Sequence, residues 1–393
     1  MNIYGIICEY NPLHNGHEYH IARTRKLGAD AIVCVMSGCF VQRAEPAIMS
    51  KFARAKCAIA AGADLVIELP SPWSTASAEA FARGAMSILG SLGCVTHCSF
   101  GCEAHDISTL CATADTLLNA SFYEKVRDEL SRGISFPAAR ARVMAREFPH
   151  LASVLDTPNN ILAVEYIKAI YSQKLNIEPV AITRIGAAHD SEEAATFPSA
   201  SALRTLINSG DIESALCAMP PSSAKIFRDE YAAGRAPVKM ADAVIMSYLK
   251  RLSLDDFLAS PDVSEGLETR LLRAVANTST LSDAADCAKT KRYTHSRIRR
   301  ALLTAFLGIT RAEVSQNPSY ARVLAFNNTG RDVLKVCKKS ATIPIITKAA
   351  DARATDIKND LMREAARSSQ YYILMPKPIS GSPDITTSPI YFP

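Results

Sequence analysis

Through roughly the first half of the chain, short, largely apolar runs alternate with longer stretches whose apolar residues recur every three to four positions. Ile3–Cys8 (IYGIIC), ADAIVCVMSG and ADLVIELP, the last stopped by Pro70, read as strands buried on both faces. Further strands are expected near residues 93–100 and in PVAITRIG, near 179–186. Between them, helical spacing predicts helices from about Gly16 to Leu27, over KFARAKCAIAAG, and from Ala76 to Leu89. Another opens in FPSASALRTLINSG, with Ser199 or Ser201 as its cap. Alternation of this kind gives an α/β, Rossmann-like fold, a parallel sheet with helices on both faces.

Beyond about residue 210 the pattern becomes mostly helical. MADAVIMSYLKRL, LETRLLRAVANT and SRIRRALLTAFLGI all carry apolar faces at 3.6-residue spacing. ATIPIITKA interrupts them as one expected strand, and the Pro- and Ser-rich tail MPKPISGSPDITTSPIYFP is expected to be irregular. The pattern divides the chain into residues 1–210 and 211–393.

Composition supports a folded protein with a sizeable core: 393 residues, 48% hydrophobic and 21% charged. The net charge of +5 is unevenly placed. Residues 1–210 hold 18 Lys and Arg against 20 Asp and Glu, whereas residues 211–393 hold 26 against 19. The second part thus carries a modest excess that a polyanion would favour. MNIYGIICEY lacks the basic start and cleavage site of a secretory leader. No apolar run approaches the roughly 20 residues of a membrane span. The expectation is a cytoplasmic protein, not membrane-bound, whose eleven cysteines are mostly reduced and buried.

Neither GxGxxG after a strand nor GxxxxGK[ST] is present. In their place NPLHNGH joins the first strand to the first helix, and three of the eight histidines, His14, His17 and His20, fall within seven positions. Ligands of open α/β sheets sit at the carboxyl ends of strands, where a helix N-terminus offers unpaired N–H groups to phosphate. Gly16 would let a nucleotide approach the backbone closely. His14 and His17, three apart, share one side of the first turn, where imidazole N–H groups could hold phosphate oxygens during in-line displacement. Asn11 and Asn15 could fix the loop. Read without further context, the same spacing also suits a polar cap with surface histidines.

HxGH after a first strand resembles the signature of the HIGH-motif nucleotidyltransferase superfamily. Longer blocks, in order, resemble one family within it, the tRNA(Met) cytidine acetate ligases: GIICEYNPLHNGHEYH, MSGCFVQRAEPA, GADLVIELP, SFGCE, PNNILAVEYIKAI, ITRIGAAHD, SASALR and TKRYTHSRIRRALL. The resemblance runs from residue 1 to about 350. It implies a HIGH-type catalytic domain in residues 1–210 that binds ATP as substrate, with Mg2+ accompanying the ATP and no protein-bound metal. It implies a ligase that converts acetate and ATP to acetyl-adenylate and pyrophosphate, then acetylates N4 of the wobble cytidine of elongator tRNA(Met).

By the same resemblance, His14 and His17 are catalytic. ATP contacts comprise Ile7, Cys8, Glu9, Tyr10, Asn11, Pro12, Leu13, His14, Asn15, Gly16, His17, Glu18, Tyr19 and His20. They continue with Gly101, Asn159, Arg184 and Ile185. Asn160 could replace Asn159, because the doublet leaves the register open. Ser201 and Arg204 of SASALR resemble a second phosphate motif. Gln42 and Arg43, with Lys51 following, are expected near the cleft. Cys39 and Ala44 depart from the pattern, which leads to Asn and Gly there.

The basic segment KTKRYTHSRIRRALL is the expected tRNA contact. Ile298, Leu302, Ala305 and Ile309 form a buried stripe, which would leave Arg297 and Arg300 projecting outward together. Lys289, Lys291 and Arg292 lead in, and Tyr293 could stack on a base. Cys94, Cys98 and Cys102 with His97 and His105 do not have zinc spacing. In an extended segment at ~3.3 Å per residue the outer thiols stand about 26 Å apart, too far to share an ion. Two other functions fit the same residues: an adenylyltransferase acting on a small phosphorylated acceptor, and a non-catalytic RNA-binding protein.

Overall fold

A computed structural model describes residues 1–103, 106–183, 197–264 and 266–393. Its strands are β1 (Ile3–Cys8), β2 (Ala31–Ser37), β3 (Phe40–Val41), β4 (Glu45–Pro46), β5 (Leu65–Leu69), β6 (His97–Cys102), β7 (Glu178–Thr183), β8 (Ala321–Phe326), β9 (Ile345–Ile346) and β10 (Ile390–Tyr391). The main sheet is ordered β10-β8-β5-β2-β1-β6-β7, with β9 beside β8, while β3 and β4 form a small separate hairpin. Neighbours from β5 to β7 are parallel, with Gly5 opposite Val33 on one side and Cys98 on the other. The chain moves outward from β1 through β2 to β5, then returns to lay β6 on the other side of β1. That reversal opens a crevice at the carboxyl ends of β1 and β6.

The expected α/β fold is present, with element limits set by local chemistry. The first helix is Asn15–Lys26, one residue earlier than its spacing suggested. The helix expected at Ala76 starts at Ala78, because Ser77 accepts the Ala80 N–H; a separate short turn covers Ser71–Ser74. Ser199 caps Ala200–Ser209 by accepting the Ala202 N–H at 3.2 Å. The strand near 93–100 begins only at His97, since Gly93 turns the chain at φ 68°.

The larger difference lies beyond residue 210. ATIPIITKA contributes two strand residues, and the tail contains the helix Pro383–Thr386 and strand β10. ARVLAF, read as part of a helical region, is β8, antiparallel to β5 with Leu65 opposite Phe326. The sheet therefore draws on both sides of the division at residue 210. Parts of 211–393 complete the edge of the N-terminal sheet, and the rest forms a helical bundle.

Among the described residues the apolar side chains gather into three large cores and a small cluster of Tyr320, Ile346, Ala352 and Leu361. One lies between the sheet and the helices Ala78–Ser91, Pro158–Ser172 and Asn328–Ser340, and includes Val33, Ile67, Leu89 and Val333. A second fills the opposite face against Asn15–Lys26, Lys51–Ala60 and Ala200–Ser209. The third is the bundle around Leu271, Ile298 and Leu302, which reaches back to Cys39, Phe40 and Ala44. Burial on this scale, at about 25 cal/mol per Å² of apolar surface, is the main source of stability.

Candidate active site

The cleft of about 390 Å³ lies at the switch between β1 and β6. His14 closes β1's exit loop and caps the first helix. Its Nδ1 accepts the Gly16 N–H at 3.1 Å, and the Nδ1 of His17 accepts the His14 N–H at 3.3 Å. The rings stack with centroids 3.8 Å apart. With Nδ1 accepting in both rings, the proton of each neutral ring sits on Nε2, a donor suited to a phosphate oxygen. The helix N-terminus adds its own partial positive charge. His20 lies one turn on, its Nε2 2.9 Å from Ser99 Oγ of β6.

Arg54 holds this end of the sheet. Fully buried, it donates to the carbonyls of Met49, Glu9, Ser37 and Gly38, so one guanidinium ties the ends of β1 and β2 together. Glu9, at the cleft wall, accepts the Gln42 N–H at 2.8 Å. Burial pushes its carboxyl above the ordinary value, against the pull of that hydrogen bond and of Arg204 and Arg54. Arg204 reaches Glu45 Oε1 at 3.0 Å and the Asn11 carbonyl at 2.9 Å, so it braces the loop as well as edging the cleft.

Comparison with known proteins decides what this cleft belongs to. A family model described as HIGH Nucleotidyl Transferase matches residues 1–384. A tRNA(Met) cytidine acetate ligase of Acetivibrio thermocellus is 39% identical, with 89% of each chain covered. One from Clostridium perfringens is 34% identical over 100% of both. A crystal structure of Thermotoga maritima TmcAL bound with alpha-thio ATP is 33% identical, with a TM-score of 0.92, covering 100% of this chain and 99% of that one. The chain belongs to the tRNA(Met) cytidine acetate ligase family of HIGH nucleotidyltransferases.

In this acetate ligase family member the residues singled out by sequence divide into two groups. Ile7, Cys8, Glu9, Tyr10, Asn11 and His14 line the cleft, as do Gly16, His17, Tyr19, His20, Gly101 and Asn159. Pro12, Leu13, Asn15 and Glu18 do not. Leu13 is buried in the core below the loop, and the Asn15 N–H is spent on the Ala218 carbonyl at 3.0 Å. Arg184 and Ile185 lie outside the described residues. The Asn doublet divides its labour. Asn159 faces the cleft and donates to Glu103, whereas Asn160 is buried and holds the Glu103 backbone through its Oδ1 at 2.9 Å.

Gln42, Arg43, Ser201 and Arg204 line the cleft, but Lys51 does not. Lys51 is fully buried with its Nζ 2.5 Å from both Glu68 and Asp384, because its helix turns that face into the protein. Phe100, Leu162, Tyr166 and Phe197 also form cleft walls. Their apolar character made them indistinguishable from core residues in the sequence.

Gly16, which lines the cleft, has a further reason besides the one its position suggested. A Cβ there would stand 3.0 Å from His14 Cε1 and 3.1 Å from Nδ1, so glycine makes room for the histidine ring. Cys39 is buried away from the cleft, its thiol pushed up to about 12 by burial. Ala44 turns the β3–β4 hairpin at φ 60°, the left-handed region that costs a non-glycine residue about 1–2 kcal/mol.

The basic segment is also rearranged. Arg297 donates to the Asp262 carbonyl and to Ser264 Oγ, each at 2.8 Å, and Arg300 pairs with Asp262 Oδ2 at 2.6 Å. They do not project freely, because the loop before Leu267 packs over that face and supplies the carboxylate. Tyr293 is buried beneath Arg297, whose guanidinium lies 5.3 Å from its ring centre, so it offers no surface for a base. Lys289, Lys291, Arg292 and Arg299 remain exposed.

Cys98 and Cys102 are buried, and burial pushes the Cys98 thiol up to about 12. His105 lies outside the described residues. Among the described residues no group of three or more His, Cys, Asp or Glu is placed to hold a metal ion. Among them, too, no helix is long and apolar enough to cross a membrane.

Proposed function

We propose that the chain is an ATP-dependent ligase that activates acetate as acetyl-adenylate and acetylates N4 of the wobble cytidine of elongator tRNA(Met). The observation that carries this reading is the stacked His14–His17 pair at a helix N-terminus inside the cleft, in a chain related along its whole length to tRNA(Met) cytidine acetate ligases. ATP lies along the β1 exit loop with its phosphates toward Gly16 and the two imidazoles. The acetate carboxylate attacks the α-phosphorus, pyrophosphate leaves, and the Nε2–H groups hold the charge that builds on the phosphoryl oxygens. The cytidine amine then attacks the acyl carbon and AMP leaves. Adenylation supplies the leaving group that acetate lacks, so the protein has chiefly to orient amine against acyl carbon. Asn159, Arg184, Ile185 and Gly101 complete the nucleotide contacts. Magnesium enters with the ATP, held mainly by its phosphates, since Glu9 is the cleft's one carboxylate among the described lining residues.

The protein with ATP, magnesium, labelled acetate and total tRNA is expected to release pyrophosphate only when acetate is present and to label one tRNA. Pyrophosphate release without acetate, together with unlabelled RNA, favours the adenylyltransferase alternative.

Gly16→Ala is expected to push the His14 ring off its cap. The acetate-dependent rate should fall about 10- to 100-fold, as small misplacements of catalytic groups do, while the fold persists. An unchanged rate would show that the ring has room to spare.

The RNA contact follows exposure. Lys291→Glu with Arg292→Glu should weaken tRNA binding and reduce the slope of log affinity against log salt by about one for each lost phosphate contact. Arg300→Ala should chiefly lower stability, because it strips Asp262 of its partner. Equal effects on binding from both substitutions, with no loss of stability, would place the RNA on the other face of the helix.

A further inference from the structure

Away from the cleft, two cysteines far apart in sequence meet. Cys94 lies just before β6, and Cys337 lies near the end of the helix Asn328–Ser340; their sulfurs are 3.2 Å apart. The seam around them is already fixed. Ser340 Oγ donates to the Leu92 carbonyl at 2.8 Å, and the Thr342 N–H to the Ser91 carbonyl at 2.8 Å. Gly93 takes φ 68°, and a Cβ there would strike the Ser340 carbonyl oxygen. Both cysteines are therefore held on backbone that cannot drift apart. A disulfide needs its sulfurs about 2.05 Å apart, so each would move by roughly 0.6 Å, within the reach of a χ1 adjustment.

We propose that Cys94 and Cys337 form a disulfide on exposure to a peroxide, a covalent staple between the β6 corner and the helix Asn328–Ser340, which packs on one face of the sheet. Cys94 is half-buried and Cys337 fully buried, so the peroxide meets Cys94 first. The Cys337 sulfur beside it holds the Cys94 thiol below its ordinary value, while Cys94 pushes Cys337 up, which assigns the thiolate to Cys94. The Cys94 thiolate attacks one peroxide oxygen; the S–O bond forms, the O–O bond breaks, and the departing hydroxide takes up a proton as water. The Cys337 sulfur then attacks the Cys94 sulfenic acid. The S–S bond forms, the S–O bond breaks, and the Cys337 proton leaves with the hydroxide as a second water. The two sulfurs together lose two electrons to the peroxide.

The pair lies at the strands' amino ends, opposite the cleft; Thr96, two residues after Cys94, donates its N–H to the Ile3 carbonyl at the start of β1. The staple should therefore raise thermal stability and leave acetylation intact. It closes a loop of 243 residues, so the unfolded chain loses much conformational freedom.

The test uses the native full-length protein, treated with hydrogen peroxide, blocked with an alkylating agent and digested for mass spectrometry. The expected product is one cross-linked peptide pair joining Cys94 to Cys337, with two of the eleven thiols lost to alkylation. The Tm should rise by roughly 3–8 °C, reversed by a thiol reductant. Cys94→Ser should abolish the cross-link and the shift, whereas Cys217→Ser and Cys287→Ser, at exposed positions, should leave both. Alkylation of both Cys94 and Cys337 after peroxide treatment, or Cys94 over-oxidised beside an intact Cys337, overturns the proposal. Should Cys94→Ser fail to fold, the wild-type peptide map alone still decides.

Discussion

Asp384→Ala is expected to remove about 3–5 kcal/mol of stability, the scale for stripping one partner from a buried ion cluster. Asp384 is in the C-terminal segment yet buried beside the sheet, where its Oδ2 meets Lys51 Nζ at 2.5 Å and Arg322 at 3.0 Å. Glu68 of β5 adds the second carboxylate, 2.5 Å from Lys51 and 3.7 Å from Arg322. Two cations and two anions balance there with their side chains almost wholly buried. Without Asp384, Lys51 and Arg322 face Glu68 alone, and a desolvated positive charge is left over. The double variant Lys51→Met with Asp384→Leu should be less damaging than the single one, because Arg322 and Glu68 still pair. Urea unfolding of the three proteins measures this; a loss below about 1 kcal/mol for Asp384→Ala would mean that the cluster admits water and is screened.

The sign of the pH dependence follows from the same cluster. Burial alone would raise the Asp384 carboxyl, but Lys51 and Arg322 outweigh it and hold the carboxyl below its ordinary value of 3.8. Its contribution is therefore fully present above pH 3.8 and is lost as the pH falls through the lower folded value. Lys51 moves the other way. Burial would lower it, yet Asp384 and Glu68 raise it above 10.5, so it stays charged throughout that window. Acid should release the tail first, visible as proteolysis near residues 380–393 before the sheet unfolds.

The largest effect on activity is expected from His14. His14→Asn should lower the acetate-dependent rate by about 10²–10³-fold, the scale for losing one donor to a transition-state oxyanion. Asn is a good helix cap, so the Gly16 N–H keeps an acceptor and stability should change by only a few tenths of a kcal/mol. His14→Ala loses the donor and the cap together and should cost about 1 kcal/mol more in stability. Comparing the two separates the structural role of Nδ1 from the chemical role of Nε2. If His14→Asn retains full rate while His14→Ala does not, the ring serves only as a cap.

Much of the site was visible in the sequence because its signals are local. HNGH lies within one turn, and its capping geometry depends on residues two and three positions apart. The alternation of apolar runs with helical spacing fixed the parallel sheet and hence the end at which a ligand sits. Ala44, where the family pattern leads to glycine, does take a left-handed φ of 60°, whereas the fit of the His14 ring against Gly16 emerges only once coordinates place it.

What resisted reading depends on partners distant in sequence. ARVLAF has no local feature that separates a short strand from a buried helical stretch; its identity follows from hydrogen bonds to β5. Lys51 appeared to belong to the cleft because Gln42 and Arg43 do, yet its charge is neutralised by Asp384, 333 positions away. Arg297 and Arg300 share a helix face, as their spacing required, but only the fold brings Asp262 over that face. Hydrophobic period and capping are properties of neighbouring residues, so the amino-acid order alone determined the α/β architecture and the histidine site at its first turn. Electrostatic pairing, edge-strand order and the choice between exposed and occupied cations require groups tens to hundreds of residues apart to meet, and those were decided only by the folded chain.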